Sequence, residues 1–197
     1  DGYTFDGWYY DDVKWNFNIY PVLSDMKLVA KWKEATYTVE FETFGAEELP
    51  SINYKFGETK ELLSVSKIGY IFDGWYTSVE FLDEQKVDSI KSSTFGNLKL
   101  YAKFIPNTYS ISYVVDGEIT GSHQVSYEQN YKLDPAIKEG YKFIGWYYII
   151  DSLEIKYTDE FGNSLDKYNH LFDISLYAKF EIMTYTVSFN LDGKGEI

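Results

Sequence analysis

At 197 residues the chain has room for one or two domains or a few small modules, and an aromatic content of 20% is far above that of a disordered segment. The net charge is −13 and all 18 basic residues are Lys, so phosphate backbones are repelled and no Arg fork is available for a phosphate or a guanine edge, which argues against nucleic acid as a partner. There is no Cys, which excludes disulfides, zinc–thiolate sites and cysteine nucleophiles, and no run of 18 apolar residues, so no membrane insertion of this segment is expected.

Along the chain, one block recurs three times. Gly2-Tyr3-Thr4-Phe5-Asp6-Gly7-Trp8-Tyr9 returns 67 residues later as Gly69-Tyr70-Ile71-Phe72-Asp73-Gly74-Trp75-Tyr76, and 71 residues after that as Gly140-Tyr141-Lys142-Phe143-Ile144-Gly145-Trp146-Tyr147. A second block follows each: Leu28-Val29-Ala30-Lys31-Trp32, Leu100-Tyr101-Ala102-Lys103-Phe104 and Leu176-Tyr177-Ala178-Lys179-Phe180. A third comprises Tyr37-Thr38-Val39-Glu40-Phe41, Tyr109-Ser110-Ile111-Ser112-Tyr113 and Tyr185-Thr186-Val187-Ser188-Phe189. This register assigns 1–36 to the C-terminal half of a repeat, 37–108 and 109–184 to complete repeats, and 185–197 to the start of a further one.

The expectation is a segment cut from a longer array, with any export signal lying outside it, because the chain opens on Asp1-Gly2-Tyr3 and not on a basic and apolar leader. The distance from the third block to the Gly-Tyr block is 32 and 31 residues. From the Gly-Tyr block to the Leu-x-Ala-Lys block it is 26, 31 and 36, so the second half of a module carries a loop that tolerates insertion. Four-residue linkers predict modules set end to end with limited swivel.

Within a module the elements read in order. Tyr37, Val39 and Phe41 share one parity and Thr38 and Glu40 the other, which is a strand with one wet face. Asp116-Gly117 and Asp192-Gly193 signal a hairpin turn, with returning strands near Ser51–Phe56 and His123–Tyr127. The polar stretches Thr59–Ser66 and Asn130–Lys138 are the candidates for a helix or helical turn, with Pro135 able to start one and Gly69 and Gly140 placed where a chain would leave it. In the Gly-Tyr strand, Gly74 marks a bulge that brings Trp75 onto the face of Tyr70 and Phe72. In the closing strand, Leu100, Ala102 and Phe104 face the core, and the small Ala leaves room for the Trp. Four or five buried rings per module, at roughly 1.5–3 kcal/mol each, are enough to hold a small domain. The structural framework is therefore Gly69, Tyr70, Phe72, Gly74, Trp75, Leu100 and Ala102 in one module, and Gly140, Tyr141, Phe143, Gly145, Trp146, Leu176 and Ala178 in the next.

The set Tyr-Thr-Val-x-Phe, Gly-Tyr-x-Phe-x-Gly-Trp-Tyr and Leu-Tyr-Ala-Lys-Trp/Phe resembles the Listeria–Bacteroides repeat, the B repeat of internalin-type surface proteins. The resemblance covers essentially the whole chain. It departs at Ile144, which stands where Asp6 and Asp73 stand, at Phe104 and Phe180 in place of a final Trp, and in the reduced proline content before Gly-Tyr. It implies an α+β, mostly β fold: tandem β-grasp-like modules of about four strands plus a short helix or helical turn. It also implies secretion to a bacterial cell surface or wall, as in adhesins, and no general catalytic or ligand residues.

No catalytic, cofactor or metal site is legible. His123 and His170 do not recur in register, and neither do the carboxylate pairs Asp11-Asp12, Glu47-Glu48 and Asp159-Glu160. The sharper question concerns rings. Trp75 and Trp146 read as core, while Trp15, Tyr76 and Tyr147 are the candidate ligand-contact aromatics. Two functions follow: a non-catalytic stalk or spacer of a surface protein that assists adhesion, or a module that binds a host-surface protein or glycan through exposed aromatics or an open strand edge. Neighbouring repeats of the same chain are the remaining expected partners.

Overall fold

The computed structural model describes residues 2–190, and the chain divides into two compact units, 1–105 and 106–197. Alternating β-formers give strands throughout the first: β1 (Tyr3–Tyr10), β2 (Val13–Lys14), β3 (Val29–Glu34), β4 (Thr36–Glu42), β5 (Ile52–Lys55), β6 (Lys60–Glu61), β7 (Tyr70–Tyr76), β8 (Lys86–Val87), β9 (Ser89–Ile90) and β10 (Leu98–Pro106). The second unit contains β11 (Thr108–Val115), β12 (Glu118–Ser126), β13 (Tyr141–Ile150), β14 (Leu153–Lys156) and β15 (Ile174–Ile182).

Each unit holds one five-stranded sheet of the same topology, ordered β5-β4-β10-β7-β8 in the first and β12-β11-β15-β13-β14 in the second. The first strand of each module lies parallel to the last at the sheet centre, with Val39 opposite Leu98 and Ile111 opposite Ile174. The pairs β4–β5, β7–β8, β11–β12, β13–β14 and β13–β15 are antiparallel, and the hairpin β11–β12 turns through Asp116 (φ 50°) and Gly117 (φ 92°). Both residues have the positive φ of the hairpin turn whose twist matches the flanking strands. Asp192-Gly193 lies outside the described residues. The first unit also carries a three-stranded sheet, β2-β1-β3, and a two-stranded ribbon, β6-β9.

The α+β expectation is overturned. Among the described residues there is no α-helix, and the one helical element is a three-residue 3-10 turn at Asp83–Gln85, outside both stretches expected to be helical. The apolar spacing explains why. In 130–138, Tyr131 and Leu133 are covered and Lys132 and Asp134 exposed, which is a period of two and not 3.6. Lys132 bridges Asn163, and in the other module Lys60-Glu61 pairs with β9, so backbone groups that a helix would satisfy internally are satisfied across chain segments. Gly69 and Gly140 follow tight turns in place of helices. Tyr70 N donates to Lys67 O and Tyr141 N to Lys138 O, with φ of 79° and 78° at the two glycines.

The core of each module is built from equivalent positions: Val39, Trp75 and Leu100 in one, Ile111, Trp146 and Leu176 in the other. Tyr54, Val65, Ile90 and Ala102 complete the first, and Val125, Leu133, Phe143, Tyr168 and Ile174 the second. Burial of these side chains is what stabilises modules of this size.

Candidate functional site

The recurrent block is built around an indole. Trp75 and Trp146 are each 2% exposed. Their ring nitrogens donate to backbone carbonyls twelve residues upstream, Trp75 Nε1 to Leu63 O at 2.8 Å and Trp146 Nε1 to Asp134 O at 3.1 Å. Each indole is clasped by the equivalent rings of its module. Phe41 and Phe72 lie 4.8 and 5.5 Å from Trp75, and Tyr113 and Phe143 lie 5.1 and 5.4 Å from Trp146. The hydrogen bond satisfies the one polar atom of a buried indole, so nothing of either Trp is left for a ligand.

A bulge aims the Trp. The register of β13 against β15 shifts between Phe143 and Gly145, and that of β1 against β3 between Phe5 and Gly7. At Gly145 (φ 140°) a Cβ would meet Thr158 O at 2.5 Å, whereas at Gly74 (φ 147°) it would meet the stem of Lys86. The remaining framework residues fall into three environments. Leu100, Ala102 and Leu176 are fully covered; Tyr70, Phe72 and Ala178 are half-buried; Tyr141 is exposed.

The three candidate ligand-contact aromatics have different fates. Tyr76 is 1% exposed, and this corrects its assignment: Phe81 meets the ring edge-on at 5.4 Å and its hydroxyl donates to Asp73 Oδ2 at 2.6 Å, leaving no face to stack on a sugar. Tyr147 is half-buried and lies opposite Lys156 and Tyr177 in the neighbouring strands. Trp15 packs between Tyr10 and Tyr20 at 6.1 and 5.2 Å, and its Nε1 is shielded from solvent without a hydrogen-bond partner.

A polar cluster was missed in the sequence. Asp73 accepts from Tyr76 and pairs with Lys103 at 3.2 Å and Lys86 at 3.6 Å. The Tyr76 hydroxyl, with the two ammonium groups, holds its carboxyl below the ordinary aspartate range against the opposing effect of burial. Asp6 repeats this with Tyr9 and with Lys14 at 3.4 Å. The signal was an Asp three residues before a Tyr in two of three copies. Its loss at Ile144, where Lys179 pairs with Glu154 instead, marks it as an exchangeable brace on the sheet surface.

Two of the other acidic pairs have roles in backbone geometry. Asp11 and Asp12 are the positive-φ turn of the β1–β2 hairpin, and Asp159 Oδ1 accepts from the backbone of Phe161 and Asn163. His170 sits among Tyr148, Tyr157, Tyr168 and Phe172, with its Nε2 2.7 Å from the Tyr157 hydroxyl, and burial lowers its pKa. His123 faces Ile111 across the β11–β12 ladder. No three metal-binding side chains converge among the described residues.

The surface grooves of the two units are lined differently. One of about 130 Å³ in the second unit is lined by Tyr131, Tyr157, Lys156 and Asp166. One of about 290 Å³ in the first is lined by Phe41, Leu49, Ile52 and Leu62. The indole hydrogen bonds align Leu63 with Asp134, so Lys60 of one groove and Tyr131 of the other are equivalent positions, while the other lining residues named differ between the modules.

The sequence profile of the Listeria-Bacteroides repeat domain matches residues 1–31, 37–103 and 109–179. The chain belongs to this family. Over its full length this family member is 33% identical to a putative Gly-rich membrane protein of Evansella cellulosilytica, of which it spans 22%. A putative membrane protein of the same organism is 34% identical over 87% of the chain and 25% of that protein. Internalin H of Listeria monocytogenes is 31% identical over 54% of the chain and 20% of that protein. The repeat segment thus corresponds to a quarter or less of each of these relatives. No helix among the described residues is long and apolar enough to cross a membrane.

Proposed function

We propose that this segment is a non-catalytic repeat region of a bacterial surface protein, acting as a spacer that holds other parts of the molecule away from the cell and assists adhesion. The observation that carries the reading is that the apolar and glycine positions recurring in register build cores, hairpins and turns, while the recurring surface Lys31, Lys103 and Lys179 are each held in an ion pair within the chain. The indole is buried and hydrogen-bonded in both complete sheets, while the histidines, most carboxylates and most groove-lining residues follow no register. Selection on a spacer preserves a foldable unit and lets its surface vary, whereas a shared ligand would preserve surface groups. The relatives named as membrane proteins and as an internalin support placement at the cell surface. Acidic charge keeps an exposed array soluble.

The competing reading, recognition of a host glycan or protein, has its support in the second unit, where Tyr131, Tyr157, Lys156 and Asp166 border one groove and Tyr147 is half-buried. Screening the chain against glycans and host-cell surfaces separates the two. The spacer reading expects no saturable binding. Binding that is lost in Tyr147→Ala or Lys156→Ala with an unchanged melt makes the segment a recognition module.

A further inference from the structure

β14 (Leu153–Lys156) is the outermost strand of the second five-stranded sheet, and it returns from β13 through a two-residue turn. Asp151 and Ser152 have φ of 49° and 68°, the backbone of a hairpin turn whose closing pair, Ile150 and Leu153, exchanges both hydrogen bonds. Bonded and non-bonded pairs then alternate along the ladder. Ile155 turns its backbone groups toward Tyr148, and Tyr157 N donates to Trp146 O at 2.9 Å. Glu154 and Lys156 therefore turn their N–H and C=O groups outward, to the open side of the sheet. At the corresponding place in the first unit, β8 is two residues long.

The side chains of the strand alternate as well. Leu153 and Ile155 share one face with Tyr148 and Ile150, and Ile150, Leu153 and Ile155 are 45, 61 and 40% exposed. Glu154 and Lys156 lie on the other face. Glu154 holds Lys179 through Oε1, which leaves Oε2 for another cation, and Lys156 is in none of the ion pairs of the described residues.

A sheet edge whose outward backbone groups are free accepts another strand. A lone Lys on such an edge opposes pairing with a copy of itself, and a Glu two residues before it reverses that effect. When two copies of β14 lie antiparallel, three registers bring the outward groups of these residues together. One sets Glu154 opposite Glu154 and another sets Lys156 opposite Lys156, and both are opposed by like charge. The register between them sets Glu154 of each copy opposite Lys156 of the other. We propose that the chain forms a symmetric dimer in which β14 pairs with β14 of a second copy in this middle register. Ile155 lies on the two-fold axis opposite its own mate, and Leu153 faces Tyr157 of the second copy. The exposed apolar face runs on across the junction, and each Lys156 gains a carboxylate. One patch meets the same patch, so the contact closes at two copies.

The test is the mass of the full 197-residue chain by sedimentation equilibrium from low to high micromolar concentration. The expected mass rises from 23.0 kDa to twice that value and stops there. Lys156→Glu sets like charges opposite each other, leaves the Glu154–Lys179 pair in place, and is expected to stay monomeric with a melt close to the parent's. Glu154→Lys is expected to be monomeric as well. An equimolar mixture of these two variants restores the complementary pairs and is expected to give a dimer of one chain of each, a result that loss of folding could not produce. Because the chain has no Cys, Ile155→Cys reads the register. It is expected to cross-link in air much faster than Leu153→Cys, since only the former meets its own mate at disulfide distance. A mass of one chain at every concentration overturns the proposal, as does a dimer that Lys156→Glu leaves intact. A mass that climbs past two chains, a mixture of the charge variants that stays monomeric, or equal cross-linking of the two cysteine variants overturns it too.

Discussion

Replacing Trp75 by Ala removes the largest side chain of its module's core. Large-to-small changes at a buried aromatic cost about 3–5 kcal/mol, and the Leu63 carbonyl that accepts from Trp75 Nε1 loses its partner for about 1 kcal/mol more. That is comparable to the whole stability of a 70-residue unit. At roughly 4–8 °C per kcal/mol for a domain of this size, the transition of residues 37–106 falls by about 15 °C or more, or disappears. The second unit, with its own Trp146, stays unchanged and serves as an internal control. Trp8→Ala provides the contrast. The same residue of the repeat is 42% exposed, with the Phe5 ring 5.6 Å away, and truncation is expected to cost less than about 1 kcal/mol. The assay is denaturant and thermal unfolding followed by hydrogen exchange, which assigns each transition to a unit. Equal effects of the two substitutions, or an unmoved midpoint for Trp75→Ala, would refute the reasoning that packing and not ligand contact fixes the Trp.

Other consequences can be measured on the same footing. Gly145→Ala should destabilise the second unit by about 1–3 kcal/mol, because its Cβ would lie 2.5 Å from the Thr158 carbonyl; Gly74→Ala should cost less, since it displaces the flexible Lys86 stem, and the ranking is read from chemical denaturation. Tyr76→Phe should cost about 1 kcal/mol through loss of the bond to Asp73, and equal melts for the variant and the parent would dismiss the brace. Burial holds the folded-state pKa of His170 below that of a free imidazole, so the unfolded chain binds the proton more readily. The stabilising effect of the neutral ring is fully present above about pH 6.5 and is lost as pH falls through that value toward the folded pKa. The midpoint of the second unit should therefore fall between pH 7.5 and 5.5, and His170→Gln should flatten that slope.

Much of the fold was legible because self-similarity converts one weak pattern into three aligned ones. The Tyr-x-Val-x-Phe alternation, the Asp-Gly hairpin turn and the bulge glycine before Trp each have a local physical cause, and each is visible in a few residues. The helical expectation for 59–66 and 130–138 fails because both stretches are polar and short, so the few apolar residues that set the period, such as Tyr131 and Leu133, say little on their own. The parallel pairing of Val39 with Leu98 could not be read at all, since it joins residues 59 apart in sequence and leaves no local mark. Tyr76 was misplaced for a related reason. It is buried by Phe81, which belongs to the variable loop and has no register to announce it. The Asp73–Tyr76 brace is legible in principle, since an Asp three residues before a Tyr on one strand recurs in two copies, but its partner is a phenol and not a second carboxylate.

The central claim is that the recurrent block specifies a fold and not a ligand. Alanine replacement at each position from Tyr141 to Tyr147, with unfolding free energy measured for the second unit, tests it most directly. The account predicts a profile that follows burial: large losses at Phe143, Gly145 and Trp146, and changes within about 0.5 kcal/mol at exposed Lys142. A flat profile, with the buried positions no costlier than Lys142, would contradict it.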